Sequence, residues 1–231
     1  GTKGSKAKEL VKFLKQCSCD RLILNGDIID GWQLKKYGTW KRKHTRFFNR
    51  ILKMIEDHKT EVIYLRGNHD DFLDQVLPFK VGNLTITRDI VIESNGKRFY
   101  VVHGDIFDSI TTNLPYYSLS QVVKSKVKSA VSYIDDFEKQ LAEIAKIKNC
   151  DGIICGHIHQ AALKEINGLI YMNSGDWVES MSALGEDKEG NWSLVYYADT
   201  SDYISNHKKM GKINIKEITE SEELNLRKKT A

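Results

Sequence analysis

Four short loops of the sequence concentrate side chains that can bind a metal ion. The loops are Gly26-Asp27 with Asp30, Gly67-Asn68-His69-Asp70, His103-Gly104-Asp105 and Gly156-His157-Ile158-His159. Their carboxylate, amide and imidazole groups together suit a borderline divalent ion such as Mn, Fe or Zn. The glycines allow sharp backbone turns and leave room for a metal ion and a phosphate group. The four loops therefore predict a metal site with space for phosphate.

Each of these loops follows a short apolar segment that is typical of a β-strand. In an open α/β sheet, ligands gather at the carboxyl ends of the strands, so loops spread over more than 130 residues can converge. A single histidine at a strand end, or Gly26-Asp27 alone, is explained equally well by a polar turn. Gly156-His157-Ile158-His159 is harder to explain as a turn, because two imidazoles two residues apart can reach one metal cluster. The ordered occurrence of all four loops favours a metal site.

The apolar periodicity predicts an α/β fold in which helices alternate with strands. Predicted helices begin near Ala7, run from about Trp40 to His58 and run from about Leu119 to Lys148. Predicted strands cover residues 21–25, 61–65, 84–87, 90–93, 98–102, 152–155, 163–166, 169–172 and 192–197. Asn95-Gly96 and Asn167-Gly168 predict tight turns between neighbouring strands. The metal-binding loops are thus placed at strand ends.

The composition is that of a globular protein with a small positive charge. The chain has 231 residues, with 35 Lys and Arg against 31 Asp and Glu, and a formal net charge of +4. This length predicts a single large domain with a sizeable core. With 29% charged residues and no apolar run near the about 18 residues that cross a bilayer, a transmembrane protein is not expected. The four cysteines form no pair of CxxC motifs, and we interpret them as reduced thiols of a cytosolic protein.

The positive charge is concentrated in residues 31–55, which we call the basic segment. It contains eight bases and no acid, so the remainder of the chain has 27 bases against 31 acids. The bases are Lys35, Lys36, Lys41, Arg42, Lys43, Arg46, Arg50 and Lys53, and they are interleaved with Trp32, Tyr37, Trp40, Phe47 and Phe48. Because this segment follows Asp27 directly, we expect it to border the metal site. It can attract an anionic substrate, an anionic membrane surface or a nucleic-acid backbone, or it can be a solvated helix face.

The four loops, taken in order, resemble the motifs of the calcineurin-like metallophosphoesterases. The motifs of that family are G-D-x-x-D, G-N-H-D or G-N-H-E, an isolated His, and G-H-x-H. This sequence shows them at residues 26–30, at residues 67–70, at His103 and at residues 156–159. The resemblance implies a four-layer α-β-β-α sandwich with two mixed sheets and the metal site at one edge of both sheets.

The same resemblance implies a set of metal ligands. Two divalent ions are implied, which we expect to be Mn, with Fe or Zn as alternatives. Asp27 is implied to bridge the two ions and His159 to bind the first of them. The implied ligands that complete the second ion are Asn68, His103 and His157.

One motif of the family, an initial D-x-H, is not found in this sequence. In the branch that the chain resembles, this motif is followed directly by a turn similar to Gly1-Thr2. We therefore expect the first strand and two ligands of the first ion to lie upstream. We assign residues 1–199 to the metallophosphoesterase domain. Residues 200–231 are polar and have no clear apolar pattern, so we assign them to a C-terminal extension.

The implied reaction is hydrolysis at phosphorus. Two ions about 3.5 to 4 Å apart activate a water molecule and hold the phosphoryl oxygens for in-line attack. His69, which follows the implied ligand Asn68, is our candidate for the catalytic residue that donates a proton to the leaving oxygen or stabilises its charge. Asp30, Asp70 and Asp105 are candidates for orienting imidazoles from outside the ligand set, although each can equally be a turn or cap residue.

Further segments resemble the branch of the family related to UDP-2,3-diacylglucosamine pyrophosphohydrolase, an enzyme of lipid A synthesis. They are residues 26–32, 103–108, 117–120 and 174–178. The branch implies release of UMP and a diacylated glucosamine 1-phosphate by a cytoplasmic protein, with peripheral contact to the inner face of a bacterial membrane. Candidate substrate-binding residues are Trp32, Lys124 and Lys128. Residues 109–115 replace a longer helical insert, which predicts a short lid or a lid left out of the chain.

Two other functions are compatible with the sequence. A phosphodiesterase acting on nucleotides or nucleic acid would use the basic segment to bind phosphates, and its binding would weaken steeply with salt. A metal-binding scaffold without turnover is favoured by the missing D-x-H motif and disfavoured by the presence of His69. The sequence specifies no oligomeric state.

Overall fold

A computed structural model of the chain describes residues 4–107 and 127–197, with their side chains except at 107 and 127–132. The α-helices within these ranges are α1 (Ala7–Gln16), α2 (Gly31–Tyr37), α3 (Arg42–His58) and α4 (Val127–Ile147), and 3₁₀ segments cover Asn68–Gln75 and Asp105–Phe107. The strands are β1 (Arg21–Asn25), β2 (Glu61–Leu65), β3 (Phe79–Val81), β4 (Leu84–Thr87), β5 (Asp89–Ser94), β6 (Lys97–Val102), β7 (Gly152–Cys155), β8 (Ala162–Ile166), β9 (Leu169–Asn173), β10 (Ser182–Glu186) and β11 (Trp192–Tyr196). Among the described helices, none combines the length and the apolar character needed to cross a bilayer.

Two mixed sheets form the centre of the molecule. The first has the order β1-β2-β4-β3, with β1, β2 and β4 parallel and β3 antiparallel at the edge. The second has the order β5-β6-β7-β9-β8, with a parallel centre and an antiparallel strand at each edge. A separate antiparallel pair is formed by β10 and β11. In each mixed sheet the parallel strands end at the same edge, where the loops that follow them can meet.

Three buried clusters show that the layers are stacked as helix, sheet, sheet and helix. One cluster lies between the first sheet and helices α1 and α3, and contains Leu14, Met54 and Val62. A second lies between the second sheet and α4, and contains Phe137 and Leu141. The third joins the facing sides of the two sheets and draws on β2, β5, β6, β7 and β9. The four-layer α-β-β-α fold with two mixed sheets, predicted from the sequence, is confirmed.

The alternation of side chains explains why β2 lies at the centre of this arrangement. Val62 and Tyr64 pack towards the helices, whereas Ile63 and Leu65 pack towards the second sheet. Successive strand residues point to opposite faces, so a strand between two layers must be apolar on both. The continuous apolar run of residues 62–65 meets this requirement.

The predicted elements agree with the described structure in most places. The Asn95-Gly96 turn is confirmed, and both residues have the positive φ, +49° and +74°, that a tight hairpin needs. The long predicted helix is observed from Val127, and its predicted start at Leu119 lies outside the described residues, as does the C-terminal extension. Three short elements, α2, β3 and β10, were missed. Each of these elements has seven residues or fewer, which is too short for the spacing of apolar residues to distinguish a helix from a strand. The residues of β3 are also all exposed, so they show no buried face.

Helix α4 offers a test of how the outer layer is held. Leu141 is fully buried against the second sheet, whereas Ile147 on the same helix is 77% exposed. We expect Leu141→Ala to lower the free energy of unfolding by about 2 to 5 kcal/mol, because it removes buried methyl groups and leaves a cavity. Ile147→Ala is the matched control and should change it by no more than about 0.5 kcal/mol. Equal effects in urea denaturation would contradict this description of the layer.

Candidate metal centre

The loops that follow β1, β6 and β7 bring three of the predicted ligands together. Ligand atoms of Asp27, His103 and His157 all lie within 4.8 Å of one another. Asn68, from the loop after β2, joins them, since its Oδ1 lies 3.2 Å from Nε2 of His103. Two of these loops belong to the first sheet and two to the second. The cluster therefore lies where the same edges of the two sheets meet.

His103 lies at the centre of the cluster, and its environment determines which ring nitrogen can bind a metal ion. The side chain is almost fully buried, and Nδ1 lies 2.8 Å from the carbonyl oxygen of Asn25. A carbonyl oxygen can only accept a hydrogen bond, so Nδ1 carries the hydrogen and donates it. In the neutral ring, Nε2 then carries the lone pair, and it faces Asn68 and Oδ2 of Asp27, the latter at 3.3 Å. This is the tautomer that a metal ligand requires.

The donor set fits a divalent cation. Nε2 of His103, Oδ2 of Asp27 and Oδ1 of Asn68 all bear lone pairs, and such groups at this spacing need a cation between them. A proton on Nε2 is one such cation. Burial lowers the pKa of His103, but the hydrogen bond and charge of Asp27 outweigh burial and raise the pKa above its ordinary value. A divalent ion is the other cation, and mixed carboxylate, amide and imidazole ligands suit it.

Asp27 is held in its charged form by its neighbours. Burial by itself raises the pKa of this carboxyl, but His103 and the backbone N–H of His69 lower it by more, so the pKa lies well below its usual range. The N–H of His69 donates to Oδ1 at 2.9 Å. A side chain at Gly67 would overlap Oδ1 of Asp27, so only glycine allows the loop after β2 to approach this closely.

Asp70 connects the loop after β1 to the loop after β2. Its carboxylate accepts hydrogen bonds from the backbone N–H groups of Ile28 at 3.2 Å, Ile29 at 2.7 Å and Gly67 at 3.3 Å. The side chain is fully buried, and burial raises its pKa to about 6 although these donors act in the opposite direction. The sequence suggested that Asp70 orients an imidazole or serves as a turn residue, and its observed contacts are with backbone of the metal-binding loops.

His157 and His159 occupy different environments although only one residue separates them. The ring of His157 lies edge-on to His103 and packs against Phe137 of α4. Ile158 is buried in the cluster beneath α4, which anchors the loop. His159 is exposed and is not part of the group formed by Asp27, His103 and His157. Of the two imidazoles in this motif, the structure thus brings His157 into the cluster and leaves His159 exposed and outside the group.

His69 lies beside the cluster rather than within it. Its Nδ1 is 3.3 Å from Oδ1 of Asp30, and the same carboxylate oxygen accepts the N–H of Gln33 at 3.0 Å and so begins helix α2. The ring of Trp32, in the first turn of that helix, lies 4.4 Å from the ring of His69. Asp30 therefore contacts an imidazole, as the sequence suggested. Trp32, a predicted substrate-binding residue, borders the site.

Arg66 is a residue of the site that sequence reasoning missed. It precedes Gly67 and forms ion pairs with Asp105, in the loop after His103, and with Asp74 at 2.9 Å. These contacts join the loop that carries Asn68 to the loop that carries His103. Asp105, suggested from the sequence to orient an imidazole, instead pairs with this guanidinium. A single arginine at a strand end has no spacing that distinguishes it from other surface bases.

The other two predicted substrate-binding residues cannot be placed in the site. Lys124 lies outside the described residues. Lys128 lies in the first turn of α4, where the structure describes the backbone and not the side chain.

A family comparison identifies this arrangement of loops. The family model for calcineurin-like phosphoesterases matches residues 5–161, which include all four metal-binding loops. The chain belongs to the calcineurin-like phosphoesterase family. The family membership predicted from the sequence is confirmed, and the phosphoesterase class that the family carries agrees with the predicted enzyme class.

Two kinds of relative accompany this match. The UDP-2,3-diacylglucosamine hydrolase of Porphyromonas gingivalis is 32% identical over 80 residues, which are 35% of this chain and 30% of that protein. Among solved structures, a hypothetical protein from Pyrococcus horikoshii has a TM-score of 0.47 at 10% identity, covering 87% of this chain and 86% of that one. An archaeal phosphodiesterase has a TM-score of 0.42 at 13% identity, covering 82% of this chain and 90% of that one. The match spans less than a third of the length of the curated relative.

The ion pairs of Arg66 can be tested on this calcineurin-like site. We expect Arg66→Met to weaken Mn binding at least tenfold, because the loops that carry Asn68 and His103 lose their connection and the partly buried Asp105 loses its cationic partner. Isothermal titration calorimetry with Mn would measure the change. Arg88→Met is the matched control: Arg88 also pairs with Asp74, at 3.0 Å, but its side chain is 66% exposed. If both variants bind Mn like the parent protein, Arg66 has no part in holding the loops.

Proposed function

We propose that this protein is a metal-dependent hydrolase that cleaves the pyrophosphate of UDP-2,3-diacylglucosamine, releasing UMP and a diacylated glucosamine 1-phosphate. The observation that carries the proposal is the convergence of Asp27, Asn68, His103 and His157 in a member of the calcineurin-like phosphoesterase family. Water supplies an oxygen to one phosphorus atom, and the bridging oxygen leaves with the other. The products therefore balance without any further reactant.

The proposal assigns the metal ligands as follows. Asp27, Asn68, His103 and His157 would hold a divalent ion, and Asp27 with His159 would contribute to a second. When bound, such ions polarise phosphoryl oxygens and lower the pKa of water. The protein contributes the orientation of these groups: Asn25 sets the tautomer of His103, and Phe137 stacks on the ring of His157 with ring centroids 6.1 Å apart. We propose Mn as the metal, with Fe or Zn as alternatives.

His69 is proposed as the group that donates a proton to the leaving oxygen. Asp30 accepts a hydrogen bond from Nδ1–H, and the doubly protonated imidazolium would then transfer its other proton, on Nε2, to the leaving oxygen. The backbone of His69 is held by Asp27, so the imidazole has a defined position relative to the ligands. Asp30 is a positioning residue in this scheme, since it acts on the substrate only through His69.

The choice of a nucleotide-sugar lipid rests on two observations beyond the metal cluster. The first is the match to the Porphyromonas gingivalis enzyme, which is named as a hydrolase of UDP-2,3-diacylglucosamine. The second is the surface beside His69, where Trp32 offers an aromatic ring and its helix, α2, also carries Lys35 and Lys36 as cations for a diphosphate. An aromatic ring next to cations suits a uridine nucleotide. These observations support the substrate, and its hydrolysis is the test.

The role of His69 can be separated from metal binding. We expect His69→Ala to lower kcat about 100-fold or more, because the leaving oxygen loses its proton donor, while the bound metal per chain stays at the parent value. Asp30→Asn should lower kcat less and should change the pH profile of kcat, because it alters the partner of the imidazole. Metal content from elemental analysis and initial rates measure the two effects. If His69→Ala releases the metal, His69 belongs to the ligand set instead.

The substrate can be tested directly. We expect the Mn-loaded protein to release UMP from UDP-2,3-diacylglucosamine faster than it cleaves a generic aryl phosphodiester, with the products identified by mass spectrometry. Cleavage of the aryl diester or of an oligonucleotide alone would support a phosphodiesterase of nucleotides or nucleic acid. Absence of turnover with bound Mn would support a metal-binding scaffold. The Asp27→Asn variant is the control for contaminating hydrolases.

A further inference from the structure

The backbone at His157 has a strained conformation. The N–H of Ile158 donates to the carbonyl oxygen of Gly156 at 2.8 Å, and His157, which lies between them, has a φ of +64°. A hydrogen bond between residues i and i+2 closes a γ-turn, and a positive φ at its central residue is the rare and strained form of this turn. A residue other than glycine keeps such a conformation only where the surrounding structure maintains it.

Two contacts fix the ends of this γ-turn. The N–H of Gly156 donates to the carbonyl oxygen of His103 at 3.0 Å, so the turn begins at a constant position beside the metal centre. Ile158 is buried in the cluster beneath α4, so the turn also ends at a constant position. Between these points lies the peptide group that joins Gly156 to His157. Because this group is planar, the direction of its carbonyl determines where the Cα atom of His157 lies.

Asn173, the last residue of β9, binds the carbonyl of that peptide group. Its side chain is fully buried, and its Nδ2 lies 2.9 Å from the carbonyl oxygen of Gly156. Since a carbonyl oxygen can only accept, the amide nitrogen of Asn173 is the donor. Cys155 and Asn173 are partners in the parallel pairing of β7 and β9. The amide therefore projects from a backbone position that the sheet itself fixes.

Two further contacts determine the orientation of this amide. Oδ1 of Asn173 accepts the N–H of Gly175 at 2.9 Å, and Nδ2 lies 3.3 Å from the hydroxyl oxygen of the buried Tyr171. The contact with Gly175 is an Asx-turn, in which a side-chain oxygen takes the place of a backbone carbonyl. An Asx-turn uses only the oxygen, so aspartate would form it equally well. The bond to Gly156 is the one that requires the nitrogen, and hence asparagine.

We propose that Asn173 is a positioning residue that holds His157 in the orientation in which its imidazole meets Asp27 and His103. Ligand atoms of these three residues lie within 4.8 Å of one another. Asn173 acts on them through the carbonyl of Gly156 and is not itself a ligand. The competing role is confined to the Asx-turn with Gly175, which ends β9. The inference rests on the metal site of the proposed function, whereas it does not depend on the substrate.

The expected consequence is a change in metal affinity. If the bond from Asn173 is lost, the buried carbonyl of Gly156 retains only the N–H of Ile158, and His157 can relax towards negative φ. A bound ion would then have to restore the turn, and that cost lowers the affinity. Partners that orient a metal ligand from outside the ligand set typically change affinity about 10- to 100-fold.

Calorimetric titration with Mn tests this role. Asn173→Asp retains the oxygen that accepts from Gly175 but cannot donate to Gly156, so we expect Mn to bind at least tenfold more weakly. Asn173→Ser is the uncharged second variant, in case a buried carboxylate prevents folding. Its hydroxyl can accept from Gly175, but its side chain is too short to reach Gly156, so we expect the same loss.

Thr60→Val is the matched control for these variants. Thr60 is fully buried and directly precedes β2, and its hydroxyl donates to the carbonyl oxygen of Cys19 at 2.9 Å. The control therefore removes one buried bond from a side chain to the backbone at the end of the first sheet opposite the metal-binding loops. Its Mn affinity should stay within about twofold of the parent value, because distant sites act independently.

The visible absorption of the Co-loaded protein provides a readout that a general loss of stability does not change. This absorption depends on the number and geometry of the ligands. At saturating Co, we expect the spectra of Asn173→Asp and Asn173→Ser to differ from that of the parent protein, and the spectrum of Thr60→Val to match it. Support requires both the weaker Mn binding and the altered spectrum. Any other result, including an equal loss in Thr60→Val, would overturn the inference and leave Asn173 with the Asx-turn alone.

These measurements separate the inference from the proposed function, because neither uses substrate. Absence of UMP release by the Mn-loaded parent protein would contradict the proposed function and leave the role of Asn173 standing. Release of UMP by the parent protein, together with metal binding by the Asn173 variants that equals the parent value, would do the reverse.

Discussion

The hydrogen bond from Nδ1 of His103 to the carbonyl oxygen of Asn25 joins the ends of two strands that belong to different sheets. It determines which nitrogen of the imidazole faces Asp27 and Asn68, and so which atom can bind a metal ion. A bond of 2.8 Å tolerates little movement, so the spacing of the two sheets must be constant at this edge. The buried cluster between the sheets, which contains Ile63, Val101 and Ile154, provides that spacing. Close packing between the two sheets therefore helps to keep Nε2 of His103 in position to bind a metal ion at the edge where the sheets meet.

Buried charge is the cost of this arrangement, and the protein offsets it with hydrogen bonds and ion pairs. Asp70 is buried where solvation cannot stabilise a carboxylate, and three backbone N–H groups take the place of water. Arg66 places a cation between two acids and joins two of the loops. These residues do not belong to the predicted ligand set. They keep the backbone of the loops in one conformation, so that the ligands need not reorganise when an ion binds.

The basic segment shows how one stretch of sequence can contribute to two surfaces. Its buried residues, such as Phe47 and Ile51, hold α3 on the first sheet. Its exposed residues include Trp32, whose ring lies against His69. A helix that packs on one side can vary the composition of its other sides without loss of the fold. The observed separation of core from exposed aromatics could not be read from the interleaved pattern of bases and rings alone.

The sequence by itself determined the fold class, the positions of most strands and helices and the loops that carry the candidate ligands. It could do so because apolar periodicity, Asn-Gly turns and glycine-flanked ligands are local signals, each confined to a few residues. Only the tertiary structure decided that His157 joins Asp27 and His103 while His159 remains exposed, that Asp105 pairs with Arg66, and that Asp70 holds backbone rather than a ring. These outcomes depend on which side chains from distant strands meet at one edge, and pairwise contacts between residues far apart in the chain have no local pattern from which they could be predicted.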